Sequence, residues 1–303
     1  MTKILITGGA GFIGSHVVEL LQKSQHDILV LDDFSTGKMQ NIAHLTTRNN
    51  LHVVDHDIST MPNLRTLFVQ FKPEIVIHLA AQAAITTAKD DPIRDLQVNG
   101  LGTLNLLTVA EHYQVRHFVY ASTSAVYGNK NYLRPVEEKN LLAPDNEYGI
   151  SKLTGEHYVR LSGIPAAILR FGNVYGPRQV PIGENQVIAR MIRHFENGDE
   201  FYIFGDGKQK RDFVFVEDVA HAVKVAMGHS GIYNIASGKS VSVNDIGRTV
   251  ARIYELHDYP WDHDRARQDS RMNVRMNVNA AWKGLAWKAR VSLEEGLRRT
   301  VEE

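Results

Sequence analysis

The 303-residue sequence contains no cysteine. That excludes disulfide staples and cysteine-ligated metal centres, and it fits a reducing compartment. Excess charge of either sign is also missing, with 34 Lys and Arg against 34 Asp and Glu. No global field therefore recruits nucleic acid or an anionic membrane. No apolar run approaches the length of a bilayer span, and a first strand beginning at residue 3 leaves no room for a secretory leader. Linkers and internal repeats are wanting too. The chain is long enough to bury a substantial core in two lobes, and it is expected in the cytoplasm with small, locally recognised partners.

Glycine is concentrated early, where Thr7 to Gly14 reads Thr-Gly-Gly-Ala-Gly-Phe-Ile-Gly. The apolar run Lys3 to Ile6 predicts a buried strand before it, and apolar residues at helical spacing from Ser15 to Gln22 predict a helix after it. In that context the glycines form a dinucleotide-binding turn. Gly8, Gly9 and Gly11 let backbone N–H groups approach a pyrophosphate, Gly14 lets the helix pack close to the strand, and the helix N-terminus faces the phosphates. A second apolar run, Ile28 to Leu31, ends at Asp32 and Asp33. Asp32 is placed to accept hydrogen bonds from the adenosine ribose and to repel a 2′-phosphate, favouring NAD over NADP. No arginine stands nearby to reverse that choice.

Leu51 to Asp57 predicts a strand ending in acid, with Asp57 directed at adenine. His52 and His56 would lie about 13 Å apart on such a strand, too far to share a metal ion. Glu74 to Ala81 predicts a strand covered on both faces, whose small terminal residues leave room for a cofactor. Asp95 to Tyr113 predicts one long helix with leucines on more than one face. One face covers the sheet, and the other is expected to meet a second copy in a homodimer. With His117 to Ser122 as a further strand, the alternation describes a doubly wound parallel sheet.

Ala121 to Gly128 is rich in hydroxyls, and Tyr148-Gly149-Ile150-Ser151-Lys152 opens a later helix. Residues four apart share a helix face. A tyrosine with a pKa near 10 is a poor base at neutral pH, but an adjacent ammonium and a nicotinamide cation favour its phenolate. Tyr148 is thus the candidate general base, Lys152 its cationic partner, and Thr123 the hydroxyl that bridges substrate and Tyr148.

The chain resembles the extended short-chain dehydrogenase/reductase family, in particular its NAD-dependent nucleotide-sugar epimerases and dehydratases. The pieces that carry the resemblance are Thr7 to Gly14, Asp32, His78 to Ala81, Asn99, Ser122 to Gly128, Tyr148 to Lys152, Arg170 to Arg178 and Gly205 to Asp218. It implies an α/β fold, a doubly wound parallel Rossmann sheet over 1–172 that also receives later segments, and a smaller C-terminal α/β substrate lobe over 173–303. NAD would be held by Gly8, Gly11, Phe12, Ile13, Gly14, Asp32, Asp33, Asp57, Ile58, Leu79, Ala80, Ala81, Asn99, Tyr148 and Lys152. The substrate would touch Ser124, Asn173, Arg211 and Arg271, and no metal is implied. Asn277 stands where the family usually has an aspartate, which departs from the pattern beyond Arg271.

Further elements follow from the same resemblance and from local signals. Glu184 to Phe195 is expected to be a substrate-lobe helix with its preceding loop. Asp218 is expected to cap a helix running to Met227, and Ile232 to Ile235 to form a strand on the substrate side. Trp287 is expected to pack the small lobe, and Ser292 to Glu295 forms a capping box. Ser124-Ala125 lacks the acid that dehydratases and decarboxylating members carry there, which points to 4-epimerisation of a UDP-sugar through a transient 4-keto intermediate. A nucleotide-sugar oxidoreductase or dehydratase, and a nucleotide-sensing or RNA-associated scaffold, are the alternatives.

Overall fold

The computed structural model describes residues 1–46, 49–128, 134–181, 186–264 and 274–303. In chain order the first half runs β1 (Lys3–Thr7), α1 (Phe12–Gln22), β2 (Asp27–Asp32), β3 (Leu51–Asp55), α2 (Pro62–Phe71), β4 (Ile75–His78), α3 (Ile85–Asp90), α4 (Pro92–Leu96), α5 (Thr103–His112), β5 (His117–Thr123), α6 (Glu147–Leu161) and β6 (Ala166–Phe171). The second half runs β7 (Asn173–Tyr175), α7 (Val187–Asn197), β8 (Ile203–Phe204), β9 (Lys210–Phe215), α8 (Val216–Ala226), β10 (Gly231–Ile235), β11 (Ser240–Ser242), α9 (Val243–Ile253), β12 (His263–Asp264), α10 (Asn279–Leu285) and α11 (Leu293–Glu302).

The apolar runs become one seven-stranded parallel sheet ordered β10-β6-β5-β4-β1-β2-β3. Both faces are covered. Val17, Val18 and Leu21 of α1 pack with Val219, Val223 and Ala226 of α8 on one side, and Leu64, Phe68, Leu106, Val109 and Val159 from α2, α5 and α6 pack on the other. Strand order reverses between β1 and β4, so a crevice opens beyond their carboxyl ends, where open α/β sheets bind ligands. A second apolar cluster joins Tyr175, Ile188, Met191, Phe213, Phe215, Ile246, Val250 and Leu297 around the three-stranded sheet β11-β9-β7.

Four expectations change. The strand at Ile232 joins the main sheet, because Gly231 to Ile235 pairs in parallel with β6 and not with the substrate-side strands. Trp287 likewise belongs to the main core, packed with that sheet's cluster and donating its Nε1–H to Asp218 O at 2.9 Å. Asp218 lies inside the first turn of α8, not at its cap, and its carboxylate accepts the backbone N–H groups of Arg290 and Val291 at 3.0 Å each. The long helix is broken into α4, a π-helical segment over Gln97–Gly102, and α5. An extra residue per turn there shifts the faces on either side of it.

The helix expected from Glu184 begins at Val187, and residues 182–185 lie outside the described residues. Ser292 does cap α11, accepting from Glu295 N–H at 3.2 Å.

Candidate active site

The crevice begins with the turn after β1. Gly8 has φ of +70°, and a Cβ there would stand 2.6 Å from the Ala80 backbone nitrogen, so only glycine brings β1 and β4 this close. Gly11 begins α1, and among the described residues no side chain caps that helix end. The first N–H groups of the helix, around Phe12 and Ile13, therefore lack a side-chain cap, as the N-terminus of a pyrophosphate-binding helix does. Asp32, at the end of β2, accepts from Ala10 N–H at 2.8 Å and from Phe34 N–H at 3.0 Å. Burial raises its pKa against those hydrogen bonds. A cradle too narrow for a methyl group, an uncapped helix end and a buried acid at the lip fit a dinucleotide such as NAD.

The outer lip corrects one expectation. Arg94 of α4 reaches Asp57 at 3.0 Å, Asp33 at 3.5 Å and Ser59 Oγ at 3.2 Å. An arginine does stand near the acids, brought there by the fold across a wide sequence gap. Its charge is shared between two carboxylates, and with Ser59 it holds the Asp57 carboxyl below its ordinary range despite desolvation. Ile58 is buried beside it, with its carbonyl accepting from Asn105 Nδ2 at 3.2 Å.

Under the crevice lies a hydrogen-bond chain whose polarity is determined. Thr103 Oγ1 donates to Asn99 O at 2.6 Å, so it accepts from His78 Nε2–H at 2.9 Å. His78 Nδ1 then accepts from Thr7 Oγ1 at 2.7 Å, and Thr7 Oγ1 accepts from Ala80 N–H at 3.2 Å. The neutral imidazole this demands agrees with full burial, which lowers the His78 pKa well below its usual value. Leu79 N–H donates to Thr7 O at 3.1 Å, and Ala81 follows two residues on, half-buried. Asn99, in the π-helical segment, donates to Gln82 O, Asp95 Oδ1 and Ser151 Oγ at 2.9, 3.0 and 3.0 Å.

Chemistry is placed at the mouth by α6. Asn146 caps the helix by accepting from Gly149 N–H at 2.9 Å, which puts Tyr148 in the first turn. A Cβ on Gly149 would stand 2.9 Å from Ala125 O, so the helix start abuts the turn over Ser124–Tyr127 that follows β5. Thr123 Oγ1 accepts from Ala125 N–H at 3.2 Å, leaving its hydroxyl hydrogen for a ligand. Lys152 is buried, its Nζ 4.4 Å from the Tyr120 ring centroid, and Tyr120 OH donates to Lys152 O at 3.2 Å.

One turn farther, Glu156 takes Arg170 Nε at 2.9 Å and its terminal nitrogen at 2.7 Å, and also accepts from Ser122 Oγ at 2.5 Å. This buried network fixes the height of α6 over β5. Its signal was present in the sequence, since Tyr148, Lys152 and Glu156 follow at helical spacing. No sequence pattern announces Arg94, whose partners are long-range.

Of the substrate residues, Ser124 opens the turn beside Thr123, and Asn173 on β7 donates to Asp212 O at 3.3 Å. The basic cluster separates: Arg211 is buried on β9, whereas Lys208 is exposed and paired with Asp206. Arg271 lies outside the described residues. Among the described residues no group of His, Asp or Glu is disposed to hold a metal, and no helix is long and apolar enough to cross a membrane.

Residues 4–236 match the model of the NAD dependent epimerase/dehydratase family. A putative UDP-glucose 4-epimerase of Methanocaldococcus jannaschii is 38% identical over 304 residues, covering 98% of this chain and 97% of that protein. Among solved structures, UDP-glucose 4-epimerase of Thermotoga maritima with UDP-glucose superimposes with a TM-score of 0.93 at 35% identity, covering 99% of this chain and 98% of that one. The NAD complex of the Thermus thermophilus UDP-glucose 4-epimerase gives 0.90 at 32% identity, with coverage of 99% and 98%.

Proposed function

Since this chain belongs to the NAD dependent epimerase/dehydratase family, we propose that it interconverts the C4 epimers of a UDP-sugar, of the UDP-glucose and UDP-galactose type, with NAD as cofactor. One observation carries the reading: Tyr148 and Lys152 stand one turn apart on α6, against the end of β5 that bears Thr123, at the mouth of the glycine turn. NAD, when bound, supplies a reversible acceptor for the C4 hydride, so the sugar can pass through a 4-keto stage with no net redox change. Tyr148 receives the O4 proton as phenolate and later returns it, while Thr123 orients O4 toward it. Lys152 provides the positive charge that makes a phenolate accessible at neutral pH. Asp32 accepts from the adenosine ribose, and Asn173 and Arg211 hold the sugar nucleotide, the guanidinium suiting its diphosphate.

Mixing the protein and NAD with UDP-glucose, UDP-N-acetylglucosamine or UDP-glucuronic acid, and following sugar stereochemistry by NMR and NADH by absorbance, tests this. A C4 epimer without net NADH is expected. Stoichiometric NADH or a released keto-sugar would replace the reading by oxidoreductase or dehydratase. Tyr148→Phe is expected to retain NAD and lose at least about 10²-fold in turnover, the usual worth of a positioned base; undiminished turnover would remove Tyr148 from that role.

The protein is further proposed to act as a homodimer. Ile93 is 70% exposed on α4 and Leu161 80% exposed on α6, with Leu96, Leu101, Ile150 and Tyr158 also exposed between them. A second copy of this same surface is the partner its apolar character fits.

A further inference from the structure

The small sheet carries Asn173 and Arg211 and the main sheet carries the glycine turn, so one substrate meets both only if the two sheets keep a fixed relation. Asp212 of β9 is fully buried. Its Oδ1 accepts from Ser237 N–H at 2.8 Å, and its Oδ2 accepts from Gly238 N–H and Met276 N–H at 3.1 Å each. Ser237 Oγ lies 2.6 Å from Oδ1 and 3.1 Å from Lys239 O, so its proton goes to the carboxylate. Ser237 and Gly238 follow β10, the edge strand of the main sheet. Met276 leads into α10, whose Ala281 and Leu285 pack in the main core, and Asn277 O beside it accepts from Asn234 Nδ2 of β10 at 3.1 Å. A small-sheet side chain is thus held by donors from the main-sheet side.

The backbone of the same residue faces the substrate side. Asp212 O accepts from Asn173 Nδ2 at 3.3 Å, and Arg211 precedes it on β9. A Cβ on Gly172 would stand 2.9 Å from that oxygen and 3.1 Å from Ala236 Cβ, so the end of β6 is packed into the same junction. We propose that Asp212 is a positioning residue for the substrate: its carboxylate ties β9 to the main-sheet side and so fixes where Arg211 and Asn173 stand. This rests on the reading that those two residues hold the sugar nucleotide. Four donors converging on two oxygens demand a group that only accepts, which is an ionised carboxylate. Burial pushes this carboxyl up to about 6, still ionised at neutral pH. An asparagine, whichever way it turns, sets an NH₂ group against two of those donors while leaving the backbone bond to Asn173 in place.

The test uses the full chain, with UDP as the probe of diphosphate binding by isothermal titration and UDP-glucose with NAD for turnover. Asp212→Asn is expected to weaken UDP binding about tenfold and to leave the NAD dissociation constant native. Binding must then reorder Arg211 and Asn173, a cost that ground and transition states share. KM for UDP-glucose should accordingly rise about tenfold, with kcat within about threefold of native. In an Arg211→Met background the same substitution should weaken UDP by less than about threefold further, because the guanidinium it places is gone.

A native UDP dissociation constant in Asp212→Asn overturns the proposal, as does a full additional loss of about tenfold in the Arg211→Met background. An NAD dissociation constant weakened as much as that of UDP also overturns it, and would give Asp212 a general hold on the fold. If Asp212→Asn does not fold, Ser237→Ala, which removes only the hydroxyl donor, carries the test: a loss of about threefold for UDP and none for NAD supports the proposal, and any other pattern overturns it. Failure of the underlying reading is separate. It would show as native UDP binding in Arg211→Met.

Discussion

At Gly14 there is no space for a methyl group: a Cβ would stand 2.0 Å from Gly8 O and 2.8 Å from Gly9 Cα. Both neighbours are backbone, so the strain has no flexible side chain to absorb it. Gly14→Ala is expected to open the turn and weaken NAD binding at least about tenfold, a loss of about 1.4 kcal/mol readable by isothermal titration. A native dissociation constant in that variant would mean the turn adapts. The Glu156–Arg170 pair gives a second residue-scale prediction. Both side chains are 2% exposed, and Arg170 also donates to Tyr127 OH at 3.0 Å and Glu138 O at 2.9 Å. Removing one charge leaves the other buried and uncompensated, so Arg170→Met should lose about 3–5 kcal/mol in denaturant unfolding. A loss under about 1 kcal/mol would show that Glu156 is relieved by taking up a proton.

Elements were legible where local chemistry alone sets them. The runs at Ile4, Ile28 and Val119 are β-branched or apolar and too short for helices, and each forms a parallel strand. Ser292 caps α11 because hydroxyl and backbone are three residues apart, a distance that sequence carries directly. Partnership between distant elements was not legible. Nothing in Ile232 to Ile235 says which sheet it enters, and that is decided by α8 packing on α1, which returns the chain to the edge at β6. The π-helical segment escaped for a related reason: one extra residue alters periodicity less than the scatter of leucines does, although its two glycines sit in close contacts. A Cβ on Gly102 would stand 2.9 Å from Ile58, and one on Gly100 2.8 Å from Leu96. In the site, Tyr148, Lys152 and the glycines were readable as spacing, whereas Arg94 acquires meaning only once α4 is laid across the strand ends.

For the molecule as a whole, buried histidines work against stability on the acid side. His16, His78 and His117 all have pKa values lowered by desolvation. The native state holds them neutral, while the unfolded chain binds a proton at each below about 6.5. Their contribution to stability is therefore present above that pH and is lost as pH falls toward the native values, by up to about 1.4 kcal/mol per unit for each histidine. His16→Gln keeps a donor for Pro177 O, which His16 Nε2 reaches at 3.1 Å. Urea unfolding across this range should show a slope shallower by up to one proton in that variant, and an unchanged slope would exclude His16 from the transition.

Assembly is the remaining property at this scale. Ile150, Tyr158 and Leu161 line one face of α6 at helical spacing, and Leu96 lies beside them, since a Cβ on Gly100 would touch both Leu96 and Thr154. The patch spans two elements, and the two-fold interface proposed above would bring two copies of it face to face. Leu101→Glu combined with Tyr158→Glu sets like charges into that face. Light scattering at micromolar concentration should give a dimer for the native chain and a monomer with unchanged circular dichroism for the variant. A native chain that scatters as a monomer would leave the outer leucines of α4 and α6 without the partner that their exposure calls for.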